Sequence, residues 1–582
     1  MKKIYAALAA LGLFLNAHSQ DIEVKWSEQF IYDNKVDGFF DYYIGTNKDF
    51  VYAKFSDLVL NANKPDSKIK IIAFNKKTME KAGEIRLLGY GQDSKKKGMK
   101  YYKTLLLDNN IYVLWTKETK NAIEVYAQSF DSKLKSLNDL KKVYEIAAGR
   151  KSTDKLVIEY NSKGGNWILL GKEFAPTQDG ENLRFEYRIL NQDFSISNTQ
   201  QVTLPVIITK RKRRDTDYMT PICSYELAND GNIYAQDVVK LGEEDLRSLK
   251  KGEASVYPVI MQINTETGDI KNFRVKFPRK NTFNFSSVIA NDGVKLYGFF
   301  SDLEKDVKGK DTHGTFYVAL DKNFEPSASK FSYFDKAFLD QLFAADRENQ
   351  KKGNGLFKSK KAKESDAESI DDNYIIEKTM YDGKDILLFC TIMKNWQRTV
   401  CSNSANGASN CRTYYYCTKN NVTAFRLNSQ GEITQAKNLD RAITYSGWNI
   451  YDLTVVKNGQ SYYVVYGSQY QMTASKKNNR SKKSSKQQTD RLEYATFNPN
   501  TGEFKKKEYN VNGFNTKKKT AKYVNADNIY LFDNKMYTSC SRTSYKPTTW
   551  IACLCPPVFY ALALSGNSRR GTGYLGTINP LQ

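Results

Sequence analysis

Asp230-Gly231-Asn232-Ile233-Tyr234, followed along the chain by Val259-Ile-Met-Gln-Ile-Asn264, is one copy of a pattern that fills this sequence. In the first segment, a short turn of Asp, Gly and Asn precedes an apolar and aromatic strand. In the second, apolar residues stop at Asn264 and the chain turns through Gly268. Turns of this composition between apolar runs are typical of β-hairpins, because Asn, Asp and Gly tolerate positive φ. Each copy therefore predicts two hairpins.

Both segments recur along the chain. Further copies of the first begin at Asn47, Asn109, Gly164, Asp292, Asp382, Asn458 and Asp533. Further copies of the second span residues 71–75, 125–131, 185–191, 316–321, 424–428, 494–498 and 559–565. Two hairpins per unit give four antiparallel strands, which is the content of one propeller blade. The sequence predicts an all-β fold, a β-propeller of four-stranded antiparallel blades, with eight blades favoured and seven if the weakest unit is merged or lost.

A row of two or three β-sandwiches is the rival all-β arrangement. It would show linkers of different composition between domains, and none divides the repeat. The strand-like segment Glu23-Val24-Lys25-Trp26 is expected to pair into the last blade, which would close the propeller and remove an exposed sheet edge.

Three insertions are expected to interrupt the blades, around residues 329–372, 395–415 and 473–490. The first contains apolar residues at helical spacing, with Asp335 as a cap. These residues are Phe331, Phe334, Phe338, Leu342 and Phe343. They predict one amphipathic helix that packs against the blades. The polar stretches 350–372 and 475–490 are expected to be loops.

The amino terminus has the organisation of a secretory signal peptide. Lys2 and Lys3 precede the apolar run 6–15, and Ala17 and Ser19 are small residues at the positions that define cleavage after Ser19. The apolar run is shorter than the ~20 residues that a membrane-spanning helix requires, and no later stretch approaches that length. Residues 1–19 are therefore predicted to be a signal peptide. Residues 20–582 are predicted to be a single exported β-propeller domain without a membrane span, in the periplasm, on the outer surface or secreted.

Basic residues are concentrated in clusters. The formal net charge is +24, and removal of Lys2 and Lys3 leaves +22. One cluster is the basic loop Lys210, Arg211, Lys212, Arg213 and Arg214, and another is the run 475–488. Blocks of like charge repel and stay solvated, so they are placed in loops that promote solubility. The alternative interpretation is attraction to anionic surfaces. Nucleic acid is not an expected partner, because no base-stacking platform accompanies the clusters.

Eight cysteines in an exported chain indicate disulfides. Cys401 and Cys411 flank a polar hairpin tip and are expected to form one bridge. Cys390 and Cys417 lie further down the same two strands and form the next candidate pair. The third candidate is Cys540 with Cys553 or Cys555, across a turn at residues 545–547. A zinc site is disfavoured, because the close paired spacing of thiolate ligands is missing.

The motifs of common catalytic sites are missing. His313 is the single histidine beyond the signal peptide, and it is expected to be solvated in a turn. No G-x-S-x-G elbow and no P-loop occur, and the literal G-x-G-x-x-G at Gly571, Gly573 and Gly576 lacks room for a following helix. A pair of carboxylates for glycoside cleavage stays possible, because only the distance between the two groups in the folded protein identifies such a pair. No catalytic, cofactor-binding or metal-binding residue is therefore assigned, and no cofactor is expected.

The signal peptide ending in Ser19-Gln20, the composition rich in Lys, Asn and Tyr, and the degenerate repeats together resemble secreted β-propellers of the Bacteroidetes type. The leading hypothesis is a non-enzymatic binding or scaffold protein of the cell envelope, whose loops face a protein or glycan partner. The first alternative is a carbohydrate-active hydrolase or lyase with acidic residues near the central channel. The second is an adhesin that uses the basic loops on anionic surfaces. An enzyme requires a pocket with converging carboxylates, whereas a scaffold requires a broad apolar or aromatic patch.

Overall fold

The structure is a computed structural model. It describes the following residues: 22–32, 39–56, 69–88, 98–149, 153–161, 167–178, 180–207, 217–241, 250, 252–290, 292–306, 309, 311–351, 368–370, 374–403, 409–446, 453–470, 490–510, 529–545 and 569–580. The signal peptide, the basic loop at 210–214 and the run 475–488 lie outside these residues.

Eight antiparallel sheets form a β-propeller, which confirms the predicted fold class and the count of eight blades. The strands of blades 1 and 2 are β3 (Phe39–Thr46), β4 (Phe50–Ser56), β5 (Ile69–Asn75), β6 (Lys81–Leu88), β7 (Met99–Leu107), β8 (Asn110–Glu118), β9 (Ala122–Phe130) and β10 (Lys141–Ala147). Those of blades 3 and 4 are β11 (Lys155–Asn161), β12 (Trp167–Glu173), β13 (Asn182–Leu190), β14 (Ile196–Ile207), β15 (Ser224–Leu227), β16 (Ile233–Lys240), β17 (Val256–Ile263) and β18 (Ile270–Arg274).

The remaining blades follow the same order. Blades 5 and 6 consist of β19 (Lys280–Ala290), β20 (Gly293–Asp302), β21 (Gly314–Leu320), β22 (Pro326–Tyr333), β23 (Tyr374–Asp382), β24 (Asp385–Asn403), β25 (Ser409–Leu427) and β26 (Ile433–Ser446). Blade 7 consists of β27 (Thr454–Asn458), β28 (Ser461–Tyr470), β29 (Asp490–Asn498) and β30 (Glu503–Asn510). Blade 8 combines β31 (Ile529–Phe532), β32 (Lys535–Tyr545) and β33 (Arg569–Pro580) with the amino-terminal β1 (Ile22–Trp26) and β2 (Phe30–Tyr32).

The repeated turns join the strands through local hydrogen bonds. In blade 4, Asp230 Oδ1 accepts the backbone N–H of Asn232, and Gly231 has a φ of 81°. At the second hairpin, Asn264 Oδ1 accepts the N–H groups of Glu266 and Thr267. Side chains that bond their own turn stabilise it independently of the rest of the fold. This explains why the turns can be predicted from the sequence.

Apolar residues on the faces of adjacent blades form the core. One compact unit comprises residues 94–452 with 500–504, and it contains blades 2 to 6. In this unit, one core cluster joins blade 3 to blade 4. A second cluster joins blade 2 to blade 3, and a third joins blade 4 to blade 5. The other unit comprises residues 1–93, 453–499 and 505–582, and its core clusters join blade 8 to blades 1 and 7. In both units the first strands of successive blades contact each other, so these strands are the innermost ones.

The amino-terminal strand completes blade 8, as predicted. β1 pairs antiparallel with β33, from Ile22 opposite Pro580 to Trp26 opposite Gly576. A Cβ atom at Gly576 would lie 2.8 Å from the Trp26 ring, so a side chain there would displace the indole. β33 contains the three glycines of the literal G-x-G-x-x-G, namely Gly571, Gly573 and Gly576. The predicted strand at 559–565 lies outside the described residues.

The predicted helix is α1 (Lys336–Lys351). Asp335 caps it, because its Oδ1 accepts the Phe338 N–H at 2.7 Å. Phe334 stacks on Phe425 of blade 6, with ring centroids 5.5 Å apart, so the helix start is held by the blade core. Phe331 is part of β22 instead of the helix. In the described part of the chain, no helix is both long and apolar enough to span a bilayer.

The cysteine predictions have mixed outcomes. Cys401 and Cys411 lie directly opposite each other in the β24–β25 ladder, and their bridge stays a prediction. The residues at 395–403 and 409–415 extend these two strands, where an insertion was expected. Cys390 and Cys417 are buried free thiols, so that predicted pair is wrong. The register explains this, since Cys390 faces Thr423 and Cys417 faces Asn395.

The hairpin of blade 8 differs from the one expected for Cys540. β32 continues to Tyr545 and pairs with β33, and this register puts Tyr574 opposite Cys540. Cys553 and Cys555 lie outside the described residues, so a bridge from Cys540 to either one stays a prediction.

Candidate functional site

An open cleft of about 770 Å³ lies where the turns of blades 3, 4 and 5 meet. We call it the cleft. Its wall consists of Tyr160, Asn161, residues 226–230, Asn232, Tyr234, Gln262, residues 289–290 and 293–294, Asp321, Lys322 and Phe324. Seven of these residues lie in turns, namely 228–230, 232, 321, 322 and 324, and the others lie at or near the ends of strands. The turns that build the fold therefore also build the cleft.

Asn161 connects blade 3 to the turn of blade 4. Its Nδ2 donates to the Leu227 carbonyl at 2.9 Å and to Asn229 Oδ1 at 3.0 Å. Asn161 is itself buried, so these bonds form in a region that excludes water. Buried side-chain hydrogen bonds hold their partners in one geometry, and here they position the first and second strands of blade 4 relative to blade 3.

A hydrogen-bonded chain crosses the middle of the cleft. Gln262 Nε2 donates to the Tyr234 hydroxyl at 2.8 Å, and that hydroxyl donates to Asp230 Oδ2 at 2.8 Å. Burial, followed by the bond to Asp230, raises the pKa of Tyr234 well above its ordinary value. The Tyr234 hydroxyl therefore stays protonated, and Asp230 is held as an oriented acceptor.

The cleft is acidic although the protein is strongly basic. Its lining carries the carboxylates of Glu226, Asp230 and Asp321 against the single ammonium of Lys322. Partial desolvation, and secondly the charge of Asp230, raises the pKa of Glu226, which is an exposed residue. A carboxylate in this setting accepts hydrogen bonds from hydroxyl groups and repels anions.

Tyr160 gives the cleft an aromatic surface. This side chain keeps 36% of its surface exposed, and Lys103 Nζ lies 5.9 Å from its ring centroid. Phe324 is buried further in, near the ring of Tyr234. An exposed ring beside oriented polar groups is the usual composition of a small-ligand site.

His313 is buried, which corrects the expectation of a solvated turn. Its Nδ1 accepts the Asp302 N–H at 3.2 Å, and its backbone is fixed by bonds to Phe300 and Phe334. Desolvation lowers the pKa of His313 below 6.5, although the neighbouring acidic residues oppose this effect. Protonation of Nδ1 would exchange the bond from the Asp302 N–H for one to the Asp311 carbonyl, 3.2 Å away, so the desolvation of the buried ring is what favours its neutral form.

The stability of the protein is expected to decrease as the pH falls through 6.5. The unfolded chain binds a proton at His313 more readily than the folded chain does, so stability rises with pH across this window and is fully present above it. Urea unfolding between pH 5 and pH 7.5 measures the effect. Replacement of His313 with Gln should flatten the profile. An unchanged slope in this variant would assign the pH dependence to other groups.

The sequence predicted the turns of the cleft but not the cleft. Asp230 and Asn232 were identified as hairpin residues, whereas Tyr160, Glu226 and Gln262 carry no signal of a site. In the described part of the chain, no group of three or more His, Cys, Asp or Glu residues is arranged to hold a metal ion. The basic loop Lys210 to Arg214 lies outside the described residues, so its role stays a prediction.

Comparisons with known proteins concern the fold alone. No family model and no curated protein matches the sequence. Among solved structures, the chain is distantly similar to the WD40 domain of SCAP from fission yeast, with 8% identity, a TM-score of 0.34 and coverage of 97% of this chain and 99% of that one. It is also distantly similar to polysaccharide lyase Uly1, with 11% identity, a TM-score of 0.32 and coverage of 95% and 99%. A PL25 ulvan lyase gives 10% identity, a TM-score of 0.31 and coverage of 83% and 96%.

Proposed function

We propose that this protein is an exported, non-enzymatic binding protein of the cell envelope, and that its cleft binds an uncharged segment of a glycan. The observation that carries the proposal is the combination, in one open cleft, of an exposed ring, Tyr160, with the oriented acceptor Asp230 and the carboxylate of Glu226. Sugars present an apolar face to aromatic rings and hydroxyl donors to carboxylates. The acidic lining disfavours polyanionic glycans.

The distribution of apolar surface favours a glycan over a protein partner. Large exposed apolar side chains are scattered over the described part of the chain. They are Leu137, Tyr160, Ile196, Ile207, Met219, Tyr333 and Tyr415. Protein interfaces usually need a contiguous apolar patch. A cleft with few aromatic residues and many polar groups suits a small polar ligand instead.

The test measures glycan binding to residues 20–582 by calorimetry. A panel of neutral hexasaccharides is compared with an acidic polygalacturonate oligomer of equal length. Replacement of Tyr160 with Ala should weaken binding of the neutral ligand about tenfold, which corresponds to ~1.4 kcal/mol. Tyr415→Ala, at a similarly exposed ring of blade 6, is the matched control and should leave binding unchanged. Equal losses in the two variants would refute the proposal, and so would binding of the acidic oligomer that Tyr160→Ala weakens as much as it weakens binding of the neutral ligand.

Glycan hydrolysis is the second candidate function. It is favoured by the raised pKa of Glu226, which suits a general acid, and by the nearby carboxylate of Asp230. Incubation of neutral glycans with the protein, followed by a reducing-sugar assay, separates the two functions. An enzyme would release product, and Glu226→Gln would stop the release while binding persists. A binding protein would release none.

The adhesin hypothesis stays a prediction. Its basic segments, residues 210–214 and 475–488, lie outside the described residues, so no geometry supports or opposes it.

A further inference from the structure

A second pocket, of about 500 Å³, lies between β19 and β23, the innermost strands of blades 5 and 6. We call it the inner pocket. Both strands carry a β-bulge at this level, between Phe283 and Ser286 in β19 and between Ile376 and Lys378 in β23. A bulge leaves backbone groups outside the sheet ladder and often lies beside a binding site. The two bulges together open the wall between the blades.

Gly298 makes the bulge in β19 possible. It lies on β20 behind Phe285, and a Cβ atom at this position would be 2.8 Å from the Phe285 Cα. Asn284, within the bulge, has a φ of 45°, and its Nδ2 donates to the Tyr374 carbonyl of blade 6 at 2.7 Å. The bulge is thus fixed from both sides, and the inner pocket is part of the folded structure.

Hydroxyl groups supply the pocket with hydrogen-bond donors. The Tyr297 side chain is fully buried, and its hydroxyl has no hydrogen-bond partner among the described residues. Burial raises the pKa of Tyr297. The hydroxyls of Thr379 and Ser286, which also line the pocket, are close enough to oppose this rise in pKa, but neither meets hydrogen-bond geometry with the Tyr297 hydroxyl. The Ser287 hydroxyl accepts a bond from Gln236 Nε2 at 2.7 Å, so its proton is left to donate. An unsatisfied buried hydroxyl is costly and indicates a ligand or solvent partner.

The charge of the pocket is positive. The carboxylate of Glu377 is compensated by Lys419 Nζ at 2.7 Å and by the Thr391 hydroxyl at 2.6 Å. The Glu377 side chain is only 2% exposed, so it offers the pocket little negative surface. Lys378 also lines the pocket and makes no ion pair within the described part of the chain. One ammonium and several hydroxyl donors therefore face the space.

We infer that the inner pocket binds a single oxyanion group, a carboxylate or a sulfate. An oxyanion has only hydrogen-bond acceptors. It therefore complements the hydroxyl donors and the ammonium of Lys378 that line the pocket. The inner pocket shares no lining residue with the cleft of blades 3 to 5, although both use β19, and the inference does not depend on the function proposed for that cleft. Inorganic sulfate and a sugar acid share this chemistry, and the experiment distinguishes them.

The test titrates residues 20–582 with sodium sulfate, sodium glucuronate and glucose by calorimetry. Tyr297→Phe removes only the buried hydroxyl, and Lys378→Gln removes only the charge. Each should weaken anion binding about tenfold. Tyr297→Phe should also leave the thermal midpoint unchanged or raised, because the hydroxyl has no partner to lose. Lys384→Gln, at an exposed turn of the same blade, is the control and should bind as the unaltered protein does.

Binding of glucuronate alone would support a sugar acid as the ligand, and binding of sulfate, alone or with glucuronate, would support a general oxyanion site. Either conclusion also requires that Tyr297→Phe and Lys378→Gln weaken anion binding. The inference is overturned if neither anion binds up to about 10 mM. It is equally overturned if glucose binds as well as the anions, or if Lys378→Gln and Lys384→Gln behave alike.

Discussion

Replacement of Glu173 with Ala is expected to destabilise the protein by about 4 kcal/mol, because each buried donor left without an acceptor costs about 1–3 kcal/mol. Glu173 ends β12 of blade 3 and has no exposed surface. Its carboxylate accepts the N–H groups of Ile222 and Cys223 at 2.6 Å and 2.9 Å, and the Tyr225 hydroxyl at 2.8 Å. One side chain therefore holds the start of blade 4 against blade 3.

Urea unfolding of Glu173→Ala and Glu173→Gln measures this effect. The Gln variant keeps the shape and one acceptor oxygen, so its loss should be smaller than that of Ala. Glu145→Ala, which removes a half-exposed partner of Lys142 in blade 2, is the control and should change stability little. The role of Glu173 would be contradicted if its Ala variant unfolded at the same urea concentration as the control.

Replacement of Lys419 with Met is expected to cost about 4 kcal/mol, since removal of one partner from a buried ion pair leaves a buried charge uncompensated. Lys419 and Glu377 are 1% and 2% exposed, and their charged atoms are 2.7 Å apart. The Thr391 hydroxyl also donates to Glu377 and would remain as a neutral donor. A neutral donor compensates only part of a buried carboxylate charge.

A double variant tests whether the cost comes from the uncompensated charge. Lys419→Met combined with Glu377→Leu removes both charges, and most of the lost stability should return, because buried ion pairs are often replaceable by apolar residues. Lys330→Met, which breaks an exposed pair with Glu432, is the control and should have little effect. If the double variant were no more stable than Lys419→Met alone, the cost would not come from the uncompensated charge of Glu377.

Much of the fold was predictable, because its signals are local. Asn264 bonds the backbone of its own turn, and the Asp335 carboxylate bonds the N–H of a residue three positions later, so both features are encoded within a few residues. The closing strand at Glu23 to Trp26 was also predicted, because its pairing with the last blade removes an exposed sheet edge. β33 was not predicted as a strand, because its glycine-rich segment 571–576 has no apolar alternation.

The candidate sites were not predictable in the same way. Tyr160 and Asp321 lie far apart in the chain and meet only because the turns of blades 3 and 5 adjoin blade 4. His313 sits in a polar turn sequence, yet the packing of blade 5 buries it. The cysteine pair Cys390 and Cys417 failed for a different reason: the register that puts Cys401 opposite Cys411 also puts Cys390 opposite Thr423, six residues along β25 from Cys417.

The sequence by itself determined the strands, the turns and the number of blades, because turn formation and strand alternation depend on residues close together in the chain. Only the tertiary structure decided which carboxylates share the cleft, which hydroxyls line the inner pocket and which charges are buried. Those properties depend on how neighbouring blades pack. Between blades, the surroundings of a side chain consist of residues that are distant in the sequence. The same acidic or hydroxyl side chain is a solvated surface group in one blade and a candidate ligand-binding group in the next.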